Sequence, residues 1–87
     1  MTTFKRDFKF DENFIETIAY NVRKYRKLAG ITQEQLAVDI SISSDYVRRF
    51  ESQKGREGIS LKTLYKISVV LNTPMDKFFE EPKEDNE

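Results

Sequence analysis

Ser43, Ser44, Asp45, Arg48 and Arg49 fall within one short stretch of the chain. On a helix capped by Ser43 they line one side, and Val47 and Phe50 line the other. An arginine carries five N–H donors in a planar fork. That fork suits a phosphate, or O6 and N7 of a guanine. Asp45 is the unexpected member, because a polyanion repels a carboxylate. It either accepts from an exocyclic amine such as cytosine N4, or orients Arg48 or Arg49 through an i, i+3 or i, i+4 pair. Upstream, Thr32 and Gln33 stand at the start of another helix, where free amides and the helix dipole favour an anion. These groups suit recognition. The chain has no His and no Cys, so the commonest general base, metal ligands and thiol nucleophile are missing. No Gly-rich phosphate loop is present, and the acids and lysines are spread along helix surfaces. Neither an enzyme, a metal site nor a cofactor is expected.

The elements that must position these residues follow from periodicity and caps. Asp11 can cap a first helix from Glu12, with Phe14, Ile15, Ile18, Ala19, Val22, Tyr25, Leu28 and Ala29 on its apolar face. Gly30 stops it. Thr32 caps a second helix, Gln33 to Ile40, and Gln35 stands where a capping box needs it. This helix buries Leu36, Ala37 and Ile40. Ser41 to Ser43 make the break before a third helix, Ser44 to about Ser52. Gln53 to Ile59 reads as an exposed loop. Ser60 caps a fourth helix, Leu61 to Leu71, with Leu61, Leu64, Ile67, Val70 and Leu71 as core candidates. Asn72 takes the left-handed stop. Thr73 caps a last short helix with Pro74 in its first position, and Met75, Phe78 and Phe79 close the core. The reading is all-α, with five helices and no sheet. Two short helices joined by a tight turn, the second polar on its outer side, have the geometry of a helix-turn-helix.

The chain of 87 residues has room for one core. Its net charge is zero, yet the charge is unevenly placed. From Tyr20 to Arg56, eight basic side chains stand against four acidic ones; from Glu80 to Glu87, five acids stand against Lys83. The boundaries expected are an N-terminal arm over 1–10, a helix-turn-helix domain over 11–80 and an acidic, disordered tail over 81–87. Phe4, Phe8 and Phe10 make the arm a flexible segment or one that docks its rings on the body or on a second subunit. Lys24 and Lys27 read as a solvated helix face. No apolar run approaches the roughly 18 residues that span a bilayer, and the lack of cysteine fits a cytoplasmic location.

The run GITQEQLAVDISISSDYVRRFES, followed by ISLKTLYKISVVLNTPMDKFF, resembles the Cro and phage-repressor helix-turn-helix family, the XRE type. The resemblance extends from Ile15 to Phe79. It implies a compact, repressor-like DNA-binding domain. By matched position, Gln33 holds a backbone phosphate beside Thr32. Ser44, Asp45 and Arg49 face base edges with Ser43 at the groove-facing cap, and Arg48 contacts a base or a phosphate. Ser52 and Lys54, with Arg56 near them, fall in the loop that touches the opposite DNA backbone. Arg26 and Glu51 match an internal ion pair. The chain departs from the family pattern where Ser41 replaces a turn glycine, where Ser52-Gln53 follows the closing glutamate, and in a longer loop before Ser60.

The function expected is a sequence-specific transcriptional regulator, a repressor that binds a palindromic operator on double-stranded DNA as a homodimer. The dimer surface is expected around Leu71 to Phe79 or at the arm. The alternative is a protein-interaction module on the same fold, such as an anti-repressor or antitoxin partner, motivated by Asp45 and the neutral overall charge.

Overall fold

The computed structural model describes residues 13–82. Four α-helices lie in this span: α1 (Phe14–Leu28), α2 (Gln33–Ile40), α3 (Ser44–Ser52) and α4 (Leu61–Val70). A 3₁₀ helix, Met75–Phe79, closes the chain's core. The described residues contain no strand. The Asp11 cap, the Glu12 start, the arm over 1–10 and most of the acidic tail lie outside the described residues.

Three of the expected caps form. The side-chain oxygens of Thr32, Ser43 and Ser60 each accept a bond of 3.0 Å, from the backbone N–H of Gln35, Tyr46 and Thr63. Each satisfies one of the donors that a helix start leaves open. The capping box after Thr32 is only half made, because the Gln35 amide donates forward to Asp39 at 3.0 Å. Three helices end alike. Gly30 (φ 73°), Ser41 (φ 61°) and Asn72 (φ 52°) are left-handed. The next residue's N–H then reaches back to close the helix: Ile31 to Arg26, Ile42 to Ala37 and Thr73 to Ser68, at 3.1, 3.0 and 2.9 Å. Ile31 and Ile42 pack against the core from these positions.

α2 packs on α3 and α4, and α1 packs on α3 and the 3₁₀ helix. The core they enclose holds Ile18, Ala19, Val22, Leu36, Ala37, Ile40, Val47, Phe50, Leu64, Ile67, Leu71 and Phe78. Phe14, Leu28, Leu61 and Phe79 were expected inside and stand exposed. Each is the first or last residue of its element. The apolar period runs on to the helix end, but no neighbouring element among the described residues covers that last position. Ala29 is exposed for the same reason.

The fifth element is a 3₁₀ turn in place of the expected α-helix. Thr73 does not cap it; its hydroxyl donates to Leu71 O at 3.0 Å. Pro74 occupies the cap position instead. Asn21, buried in the middle of α1, donates to the carbonyls of Phe78 and Glu80, both at 2.8 Å. Those carbonyls are thereby taken by α1, and the Phe78 ring meets Tyr25 edge-on, with ring centroids 6.0 Å apart.

One buried ionic cluster fixes α1, α2 and α3 together. Arg26 Nε and Nη2 donate to the two carboxylate oxygens of Glu51 at 2.7 and 2.9 Å. Its Nη1 donates to Ile31 O at 2.7 Å. Both side chains are almost wholly buried, at 8% and 2% exposed. The pair expected from the sequence is present, and it also holds the α1–α2 connection.

Removing one partner of such a pair strands a charge in the interior, at a cost of about 3–5 kcal/mol. Glu51→Gln is therefore expected to lose about that much stability in urea denaturation, and replacing both Arg26 and Glu51 by Leu is expected to recover most of it. Asn21→Ala is expected to cost about 1–3 kcal/mol, since it leaves two carbonyls without their donor. A thermal melt unchanged by Asn21→Ala would show that Asn21 does not hold the closing turn.

Candidate nucleic-acid interface

Ser43 starts α3, and Val47 and Phe50 turn inward to the core. Asp45, Arg48, Arg49 and Ser52 follow at the i, i+3, i+4, i+7 spacing of the opposite face, and all four are exposed. The expected reading residues thus share one outward surface, with Ser44 half-buried at its start. Asp45 binds both arginines: one carboxylate oxygen takes Arg48 and the other takes Arg49. These are the i, i+3 and i, i+4 pairs that the sequence left open to Asp45.

Arg49 has a second acidic partner. Its Nε donates to Glu57 Oε2 at 2.9 Å, across the loop after α3. Two arginines and two carboxylates therefore balance at the outward face of α3. Exposed pairs of this kind contribute only about 0.2–1 kcal/mol each. They set the direction of the side chains and are readily exchanged for stronger contacts.

α2 presents its N-terminus beside this face. Thr32 is exposed with its hydroxyl hydrogen uncommitted by the cap. The Gln33 amide donates to Glu51 Oε1 at 2.9 Å. An amide nitrogen has two hydrogens, so the Glu51 bond fixes the group and leaves the second hydrogen to give. Gln33 is thus anchored to the same carboxylate that holds Arg26.

The loop residues are placed differently from one another. Ser52 donates its only hydroxyl hydrogen to Arg49 O at 3.1 Å and accepts from Lys54 N at 3.3 Å. A phosphate contact from Ser52 requires that hydroxyl to turn away. Lys54 and Arg56 are exposed at the loop's tip. Gln53 and Arg56 take left-handed backbones, φ 53° and 57°, where the sequence lacks glycine. The Gln53 amide then binds both Phe50 O, at 3.0 Å, and Glu57 O, at 2.8 Å.

Tyr46 packs against the core from α3. Its ring stacks on Phe50 at 6.1 Å between centroids, and its hydroxyl donates to Gly58 O at 2.6 Å. Burial, and secondly the charge of Glu57, hold its phenol above the usual tyrosine range, so it remains a donor at neutral pH. Sequence reasoning missed Glu57 and the Gln33–Glu51 bond. Periodicity has no hold on a loop residue eight positions from its partner, and the Gln33–Glu51 bond joins residues of two helices 18 positions apart, beyond any spacing rule within one helix.

Comparison with known proteins identifies the family and the fold. A helix-turn-helix family model matches residues 22–78. Control protein C.SmaI of Serratia marcescens is 34% identical over 62 residues, which are 71% of this chain and 71% of that protein. An HTH-type transcriptional regulator of Sinorhizobium medicae is 30% identical over 64 residues, 74% of this chain; the match spans only 45% of that relative's length. Among solved structures, the N-terminal DNA-binding domain of SinR from Bacillus subtilis superposes with a TM-score of 0.70 at 25% identity, covering 79% of this chain and 99% of that domain. Among the described residues no helix is long and apolar enough to cross a membrane. The chain belongs to the XRE-type helix-turn-helix family of transcriptional regulators.

Proposed function

We propose that this protein is a sequence-specific repressor that binds a palindromic operator as a homodimer in the cytoplasm. The observation that carries the reading is the outward face of α3. Ser43 opens it, Asp45 aligns Arg48 and Arg49 along it, and the Thr32–Gln33 end of α2 stands alongside with donors to spare. In the major groove, α3 reads base edges through Ser44, Asp45, Arg48 and Arg49, with Ser43 at the cap. Thr32, Gln33, Ser52, Lys54 and Arg56 hold phosphates. Arg26 and Glu51 stay inside as the brace. The family membership supports DNA as the partner, as does the likeness to the SinR DNA-binding domain. No catalytic role or cofactor is proposed.

One such domain covers one half-site, and a dimer places two recognition helices about 34–36 Å apart on the duplex. The core takes Leu71 and Phe78 from the expected dimer surface. Phe79, with Tyr65 and Val69 of α4, remains exposed, and these are among the apolar groups a second copy has available. The charge balance on the α3 face favours one rival, a protein-interaction module on the same fold. Both readings meet the same experiment.

Selection of bound duplexes from a random pool is expected to return a two-fold motif. Binding to it should weaken steeply with salt, with a log–log slope near about −0.9 per phosphate neutralised. If no duplex binds better than micromolar at low salt, the repressor reading fails and the interaction module stands. Arg49→Ala is expected to cost about 1–3 kcal/mol at one base position with the fold intact. An unchanged base preference would remove Arg49 from the readout set. Gln33→Ala is expected to weaken all duplexes alike, because a phosphate contact carries no sequence information.

A further inference from the structure

The loop after α3 is exposed over Lys54, Gly55 and Arg56, yet its next turn is tied down. Gln53 Nε2 holds Glu57 O at 2.8 Å. Tyr46, stacked on the core ring of Phe50, holds Gly58 O at 2.6 Å. Ile59 packs against the core immediately afterwards. The Glu57 backbone is thus held by Gln53 directly and by Tyr46 of α3 through Gly58, and its half-buried carboxylate meets Arg49 Nε at 2.9 Å.

Arg49 is therefore gripped from two directions, by Asp45 on its own helix and by Glu57 from the loop. Two of its five donors are engaged. Both terminal nitrogens still have a hydrogen to give, which is what a fork onto guanine O6 and N7 needs. A long side chain free to swing loses rotamer entropy on binding. One held at two points is already oriented, and its reach is confined to one base step. The Glu57 carboxylate also repels phosphates, so an arginine paired to it gains little from backbone contacts.

We infer that Glu57 is a specificity-determining positioning residue: anchored by Gln53 and Tyr46, it aims Arg49 at a base edge and holds it off the DNA backbone. This rests on the proposed reading of α3 as the recognition helix.

The test is sequence selection and duplex binding with the full chain, for the parent, Glu57→Ala, Glu57→Gln and Tyr46→Phe, each checked for folding by circular dichroism. Glu57→Ala is expected to reduce discrimination about fivefold at the base position that Arg49→Ala abolishes, and to bind random duplex more tightly at low salt. Glu57→Gln keeps an acceptor in the same place and is expected to retain most of the discrimination. Tyr46→Phe frees Gly58 and is expected to blur that same position. If Glu57→Ala folds and keeps the parent's preference there, or weakens every sequence equally, the inference is overturned. If the parent itself selects no motif, the repressor reading is what has failed.

Discussion

The carboxylate of Glu51 is the point on which the remaining geometry depends. It closes a bidentate contact with Arg26 from α1 and accepts from Gln33 at the start of α2, while belonging to the last turn of α3. Arg26 extends the same cluster to the backbone of Ile31. Three helices and one connection are referenced to a single side chain. Burying two charges costs several kcal/mol in desolvation, offset only when nearly every lone pair and proton is matched. Here the two carboxylate oxygens receive three donors, and no buried side-chain nitrogen or oxygen among the described residues lacks a partner. An apolar replacement would hold the helices together as well. It would not hold the Gln33 amide in one orientation.

A gradient of bond strength runs outward from that cluster. The interior pair is shielded from water and hard to break. The pairs on the α3 face are exposed and individually worth little, so DNA or another partner can take their place. The site is thus rigid where its frame is set and exchangeable where contact is made. Asp45 and Glu57 balance Arg48 and Arg49 there, which weakens the attraction of that face to any polyanion. Such an arrangement favours discrimination over raw affinity.

Much of this was legible in the residues. The caps at Thr32, Ser43 and Ser60, and the stops at Gly30 and Asn72, follow from local chemistry that needs only a few neighbours in sequence, and all five formed; the left-handed turn at Ser41 came from family resemblance. The Arg26–Glu51 pair came from family resemblance, since nothing in spacing alone joins residues 25 positions apart. What escaped depended on tertiary neighbours. Asn21 looks like a surface residue until the closing turn lies over it. Leu61 and Leu28 fit the apolar period but find nothing above them. Glu57 is read as loop because its partner is set by how Gln53 and Tyr46 fold the chain back. The outward placement of Asp45, Arg48 and Arg49 along α3 was legible from periodicity; the reading roles expected of them came from family resemblance.

The left-handed stops have a further consequence. Of the five described residues at positive φ, only Gly30 is a glycine. For Ser41, Gln53 and Arg56 the conformation is intrinsically disfavoured, so the turns they form are imposed by the packed domain. In a fragment holding only α2 and α3, Ser41 would have little reason to bend, and the two helices would lose their angle. The helix-turn-helix of this chain is accordingly a property of the whole domain: its recognition geometry appears and disappears with global folding, and cannot be carried to another scaffold as a short graft.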